Sequence, residues 1–361
     1  MAGIGVRLNK IFGRNTLTTN MIGFFYSTLV TVAPMFAIII NLVLMEYFLK
    51  FSTLGYAQRE LFSCTILYTF IFSLLTASPF NAVLSRYISD VIYEERYQDI
   101  LPCYHIGMML NIVLSCLVGI PFCLWEHFVG GVSVAYVFAG FWCYISLVFV
   151  FYSMIYLSIC KDYQRIAQYY IVGMLVAFFL SLFLRYICHW GITQSMLAAM
   201  DAGFFLTAVL ENALVKRYFR KNSNRYKPVL SYFKKYWQLV VTNFLYILGL
   251  YVHNFVFWTT DMRMVVVDSF VCNQPYDMAS CLAMFTNISA TIIFIARVEM
   301  YFHEKYKLYS EAVIGGRGAD IQNAKKRMFR QLASELMTLA RIQFIISVVI
   351  YLICIVVLPT I

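Results

Sequence analysis

Long apolar runs, each about the length of a membrane span, recur along this chain of 361 residues. They extend from about Met21 to Phe48, Leu61 to Leu84, Ile106 to Trp125, Val134 to Leu157 and Ile166 to Ile187. Further runs extend from about Ile192 to Leu214, Trp237 to Trp258, Met278 to Met300 and Ile342 to Leu358. A run of about 20 apolar residues crosses the hydrocarbon core, where every backbone polar group has to bond within its own helix. The pattern predicts an all-α polytopic membrane protein of about nine transmembrane helices, a six-helix first lobe followed by a partial second lobe. Strands of a membrane barrel would alternate apolar and polar residues over about 10 positions, a pattern this sequence lacks.

The polar stretches between the runs set the expected divisions. Residues 1–215 form the first transmembrane lobe, and 216–236 form a basic cytoplasmic linker with irregular backbone at Asn222-Ser223-Asn224 and Pro228. Residues 237–361 form the partial second lobe. Within it, Ile321, Ala324, Met328, Leu332, Leu336 and Leu339 recur at helical steps, with Lys325, Lys326, Arg327 and Arg330 beside them. That stripe predicts a cytoplasmic amphipathic helix over 320–340, lying on the membrane surface as a connector or docking on a partner. The first run is too long for the core of a cleavable signal peptide, about 7–15 residues, and is expected to remain a span.

Composition agrees with this pattern: 61% of residues are hydrophobic, 13% are charged and the mean hydropathy is +0.73. The net charge of +10 reports topology. With a cytoplasmic N-terminus, every Lys and Arg except Lys50, Arg59, Arg185 and Arg263 falls on the inner side, as the positive-inside rule requires. The basic residues are thus accounted for without nucleic acid, although Val215 to Tyr236 also suits anionic lipid headgroups. Most of the ten cysteines sit inside spans as small apolar fillers, and no metal spacing occurs. Cys188 and Cys272, near the outer face, are the pair open to a disulfide.

Few residues in the spans carry chemistry. Asp201 lies nine residues into its run, about 14 Å deep. An ionised Asp there costs roughly 2.5–3.5 kcal/mol on insertion scales, so it should face protein or a watery cavity. It is either a protonation or cation site or a hydrogen-bonded lock between helices. Arg297 and Glu299 close the eighth run, as a gate or as interfacial anchors. His253 could titrate near neutral pH or bond to a neighbouring helix. Pro34 and Pro79 interrupt the first two runs and are candidate hinges. No P-loop or dinucleotide motif appears, so no cofactor is expected and ATP is not the direct energy source.

Several segments taken in order resemble the PelG family of exopolysaccharide transporters. They are Met1-Ala2-Gly3-Ile4-Gly5, Leu75-Thr76-Ala77-Ser78-Pro79-Phe80 continuing to Asp90, and Phe244 to Tyr251 with Phe255-Val256-Phe257-Trp258. Arg297-Val298-Glu299 with Phe302 to Tyr306, Ala324 to Met328 and Gln343 complete the set. At His253-Asn254 and Tyr301 the chain departs from the family's usual acidic and basic residues. The family is similar to the multidrug and oligosaccharide-lipid-polysaccharide exporter superfamily, which has two six-span lobes. Against that pattern the chain looks shortened at its C-terminus.

The resemblance implies export of an amino-sugar-rich polysaccharide across the inner membrane, beside a cytoplasmic glycosyltransferase and cyclic-di-GMP-receptor membrane subunits. Asp201 would suit a cationic polymer. The alternatives are a non-transporting scaffold of the synthesis complex or a flippase for lipid-linked oligosaccharide. A membrane-embedded enzyme would need converging acid, base and nucleophile, which the sequence does not offer.

Overall fold

The computed structural model describes residues 17–160, 162–294 and 300–357. Every predicted run contains a helix. They are α1 (Leu17–Phe48), α2 (Tyr56–Tyr93), α3 (Ile100–Phe128), α4 (Val134–Ile159), α5 (Tyr163–Tyr186), α6 (Ile192–Tyr218), α8 (Trp237–Phe257), α9 (Gln274–Ile293) and α11 (Gly318–Val357). Two more helices, α7 (Lys227–Lys235) and α10 (Met300–Gly315), fill polar stretches. A small antiparallel hairpin, β1 (Met264–Val266) and β2 (Phe270–Cys272), follows α8. Among the described residues, seven helices are long and apolar enough to cross a membrane, and Val32–Phe48 adds a shorter apolar stretch. The chain is therefore a multi-pass α-helical membrane protein.

It divides into two compact units, one of residues 33–274 and one of residues 1–32 with 275–361. In the first, α4–α6 and α5–α6 are the most extensive pairings, and α2 packs against α3, α4 and α8. One core cluster gathers Leu84, Tyr87, Ile100, Tyr104, Tyr156 and Leu214 at one end of the bundle. A second gathers Met45, Phe62, Tyr136, Met196 and Met200 at the other. Neighbouring helices therefore run in opposite directions, as short connections demand.

Beyond its first two turns, α3 is turned inside out relative to a helix of a water-soluble bundle. Along α3 the buried residues beyond its first two turns are Gly107, Asn111, Ser115, Gly119 and Glu126, small or polar throughout. Met109, Val113, Leu117 and Ile120 face outward on the same helix. Lipid tails are as apolar as leucine, so apolar burial adds little and close packing of small residues holds the spans together. The tightest crossing joins α5 to α6. A Cβ on Gly173 would stand 2.6 Å from the Gly203 carbonyl oxygen, and a Cβ on Gly203 would stand 2.7 Å from that of Gly173.

Pro79 does not break α2. Proline withdraws the donor that would bond the carbonyl four residues earlier. Here that carbonyl, on Leu75, accepts from Ser78 Oγ at 3.2 Å, and the helix continues to Tyr93. Pro34 likewise lies within an unbroken α1. None of the ten cysteines forms a disulfide. Cys272 is buried in the hairpin while Cys188 is exposed beyond α5, so the disulfide open to this pair does not form.

The basic end of the unit is pinned rather than loose. Ser223, in the stretch after α6, donates to the buried Asp99, which also pairs with Arg96 at 2.9 Å. Val229 on α7 is fully buried in the core cluster at this end. Tyr232 donates to Asp90, and burial together with that carboxylate pushes the Tyr232 hydroxyl pKa up. Residues 216–236 thus lie inside the compact unit.

In the other unit, the amphipathic stretch 320–340 and the last apolar run are one helix, α11, of 40 residues. The expected surface helix followed by a separate span needs a bend, and between Gly318 and Val357 the sequence has neither glycine nor proline to make one. Gln343 Nε2 on α11 donates to the Thr286 carbonyl of α9 at 2.9 Å.

Candidate functional site

Acidic side chains inside the 33–274 bundle occupy three levels. Asp201, near the middle of α6, accepts from Ser146 Oγ of α4 at 2.9 Å. Ser146 is fully buried, and the acid is half-buried beside the Cys143 thiol. The hydrogen bond fixes the carboxylate at the α4–α6 crossing, which small residues Ala198, Ala202 and Gly203 flank in sequence.

Toward the basic end of α6, Glu211 is fully buried and neither carboxylate oxygen has a hydrogen-bond partner. It shares the buried stripe of Phe204, Ala208 and Val215 on α6. Tyr104 and Ser153 hydroxyls bond at 2.9 Å, and Tyr152 donates to the Tyr104 carbonyl at 2.8 Å. A buried, unpartnered carboxyl group is expensive to keep.

At the hairpin end, Glu126 in the last turn of α3 is 5% exposed, and its Oε1 has no partner. It lines a cavity of about 250 Å³ between α2, α3 and α4, to whose wall Phe270 of β2 contributes. Tyr68 anchors the hairpin there: its hydroxyl donates to the Val271 carbonyl at 2.7 Å and accepts from the Val271 N–H at 3.1 Å. Trp258 stacks on the Tyr68 ring at 4.9 Å, and Phe270 meets it edge-on at 5.0 Å. The hairpin turn fits closely against α3, since a Cβ on Gly130 would come within 2.6 Å of Ser269 Oγ.

Of the residues singled out from the sequence, Asp201 therefore lies between packed helices. His253 stands half-buried on α8, the helix that packs along α2, so it and Asp201 belong to different helix pairs. Arg297 and Glu299 lie outside the described residues. Glu126 and Glu211 were not anticipated, because each lies close to the end of its apolar run, where a charged residue does not stand out. Their signal is register. Glu126 continues the small polar stripe of α3, and Glu211 falls on the buried stripe of α6. Among the described residues no group of three or more His, Cys, Asp or Glu is placed to hold a metal ion.

Spans with lipid-facing apolar surfaces, small-residue crossings and acids held in the interior define a polytopic α-helical membrane protein. A family model described as an exopolysaccharide exporter (EPS-E), PelG, matches residues 1–361, and the chain belongs to that family. No curated protein and no solved structure matches it.

Proposed function

We propose that the chain exports an amino-sugar-rich exopolysaccharide across the cytoplasmic membrane, with its N-terminus on the cytoplasmic side. The observation that carries this reading is membership of an exopolysaccharide exporter family along the whole chain. The interior acids support its finer part. A polymer with free amines is cationic, and Glu126, Asp201 and Glu211 set carboxyl groups at successive levels of one bundle. Asp201 is the transport-pathway residue in this reading, because it is the one of the three both hydrogen-bonded and only half-buried.

Polymer would be supplied by a cytoplasmic glycosyltransferase, with cyclic-di-GMP-receptor membrane subunits as further partners. α7 at the basic end of one unit and, separately, the charged face of α11 in the other offer polar surfaces for them. The role is transport rather than catalysis, and it needs no cofactor. The test is surface polymer in cells carrying Asp201→Asn at unchanged protein level: loss of polymer supports the reading, and full export counts against it.

A further inference from the structure

Three methionine sulfurs from three helices converge on one side-chain amide inside the 33–274 bundle. Asn41 of α1 holds its Nδ2 3.9 Å from Met45 Sδ on the same helix. The same atom lies 3.6 Å from Met174 Sδ of α5 and 3.5 Å from Met200 Sδ of α6. Met45 and Met200 are fully buried, and Met174 and Asn41 are nearly so. The amide oxygen, Oδ1, is buried without a hydrogen-bond partner. A thioether is a weak acceptor, so the amide is poorly satisfied at both its nitrogen and its oxygen. A half-turn of the amide exchanges Nδ2 and Oδ1 and sets the oxygen against the three sulfurs. That arrangement is favourable only with a cation among them.

The donor set selects the cation. Ligands about 2.3 Å from a tetrahedral metal ion stand about 3.8 Å from one another, and the three amide–sulfur distances fall close to that spacing. Magnesium and calcium gather about six or more oxygen ligands, and this cage offers one. Zinc takes thiolate, imidazole or carboxylate ligands, and a thioether is none of these. Soft thioether sulfur selects Cu(I), whose single charge is also the smallest to bury. We infer that Asn41, Met45, Met174 and Met200 form a Cu(I) site, three thioether sulfurs and the amide oxygen making a four-ligand shell. The ion ties α1 to the α5–α6 pair beside its closest crossing, since Met174 follows Gly173. This assignment stands apart from the export reading.

The experiment uses the full chain, purified in detergent with selenomethionine in place of methionine and loaded with Cu(I) under ascorbate. X-ray absorption at the copper edge is expected to show copper–selenium neighbours, a signal that cysteine sulfur cannot give. Met174→Leu and Met200→Leu nearly conserve volume and remove one ligand each. Each is expected to weaken this copper site roughly tenfold or more. The double variant is expected to lose the copper–selenium signal and to retain one equivalent of copper fewer than the wild type. Either single variant serves if the double variant folds poorly. Copper with sulfur neighbours alone, held by the cysteines, overturns the inference. Folded wild type that retains no copper overturns it as well. So does a copper–selenium signal unchanged in both single variants, because other methionines then hold the ion.

Discussion

Ser146 donates a hydrogen bond of 2.9 Å to the carboxylate of Asp201, joining α4 to α6 inside the bundle. The bond makes a mid-span acid tolerable, since a buried polar group is costly unless it is hydrogen-bonded. It also separates the two roles open to Asp201. Asp201→Asn keeps an oxygen that accepts from Ser146 and removes the charge. The variant is expected to retain its thermal midpoint and lose export. Ser146→Ala keeps the charge and removes the donor, at about 1–3 kcal/mol, so its midpoint falls. A mere lock between helices predicts the reverse for export: full activity in Asp201→Asn.

The Gly173–Gly203 crossing brings two backbones to a distance no other residue allows. Gly203→Leu forces α5 and α6 apart, and overpacking of this kind typically costs about 1–3 kcal/mol. The expected result is a lower midpoint and less folded protein by size-exclusion chromatography in detergent. Gly249, whose added Cβ would meet nothing within 4 Å, is the control, and Gly249→Ala is expected to behave as wild type.

Glu211 has no partner to lose. Replacing a buried, unsatisfied polar group by an apolar one of similar size is neutral or stabilising. Glu211→Leu is therefore expected to keep or raise the thermal midpoint. If the acid is kept for transport, the same variant loses export, and a stable, fully exporting Glu211→Leu would assign the position to packing alone.

The hairpin is held by few bonds and carries strain, with Val267 and Asp268 both at positive φ (51° and 52°). Tyr68→Phe removes both hydrogen bonds to Val271 at a cost of about 1–2 kcal/mol. Limited proteolysis within residues 264–272 is expected to be several-fold faster in the variant, while cleavage elsewhere is unchanged.

Cys188 is an exposed free thiol just beyond α5. With a cytoplasmic N-terminus it lies on the outer side, so a membrane-impermeant maleimide is expected to label it in intact spheroplasts. With Cys281, the other exposed thiol, replaced by Ser in both proteins, Cys188→Ser should abolish that labelling. Labelling only after lysis would invert the orientation.

The spans were legible because lipid demands long apolar runs, and each run proved to contain a helix. What stayed hidden depends on contacts between distant residues. Three-residue strands carry almost no periodicity, and the hairpin is fixed by Tyr68, about 200 positions away in sequence. Residues 216–236 read as a basic linker, and its contacts, Ser223 to Asp99 and Val229 in the core, join positions far apart in sequence. The bend expected between 320–340 and the last run came from reading two compositions as two elements. An uninterrupted backbone joins them. Asp201 stood out because it lies mid-run, whereas Glu126 and Glu211 required the buried face of their helices to be known.

Export complementation tests the central claim most directly: this chain, and its Asp201→Asn variant, expressed in a strain lacking its own PelG-family transporter, with surface polysaccharide quantified. The account predicts that the wild-type chain restores polymer and that Asp201→Asn, present in the membrane at the same level, does not. Wild-type protein in the membrane with no polymer at the surface, or equal polymer from both chains, would contradict it.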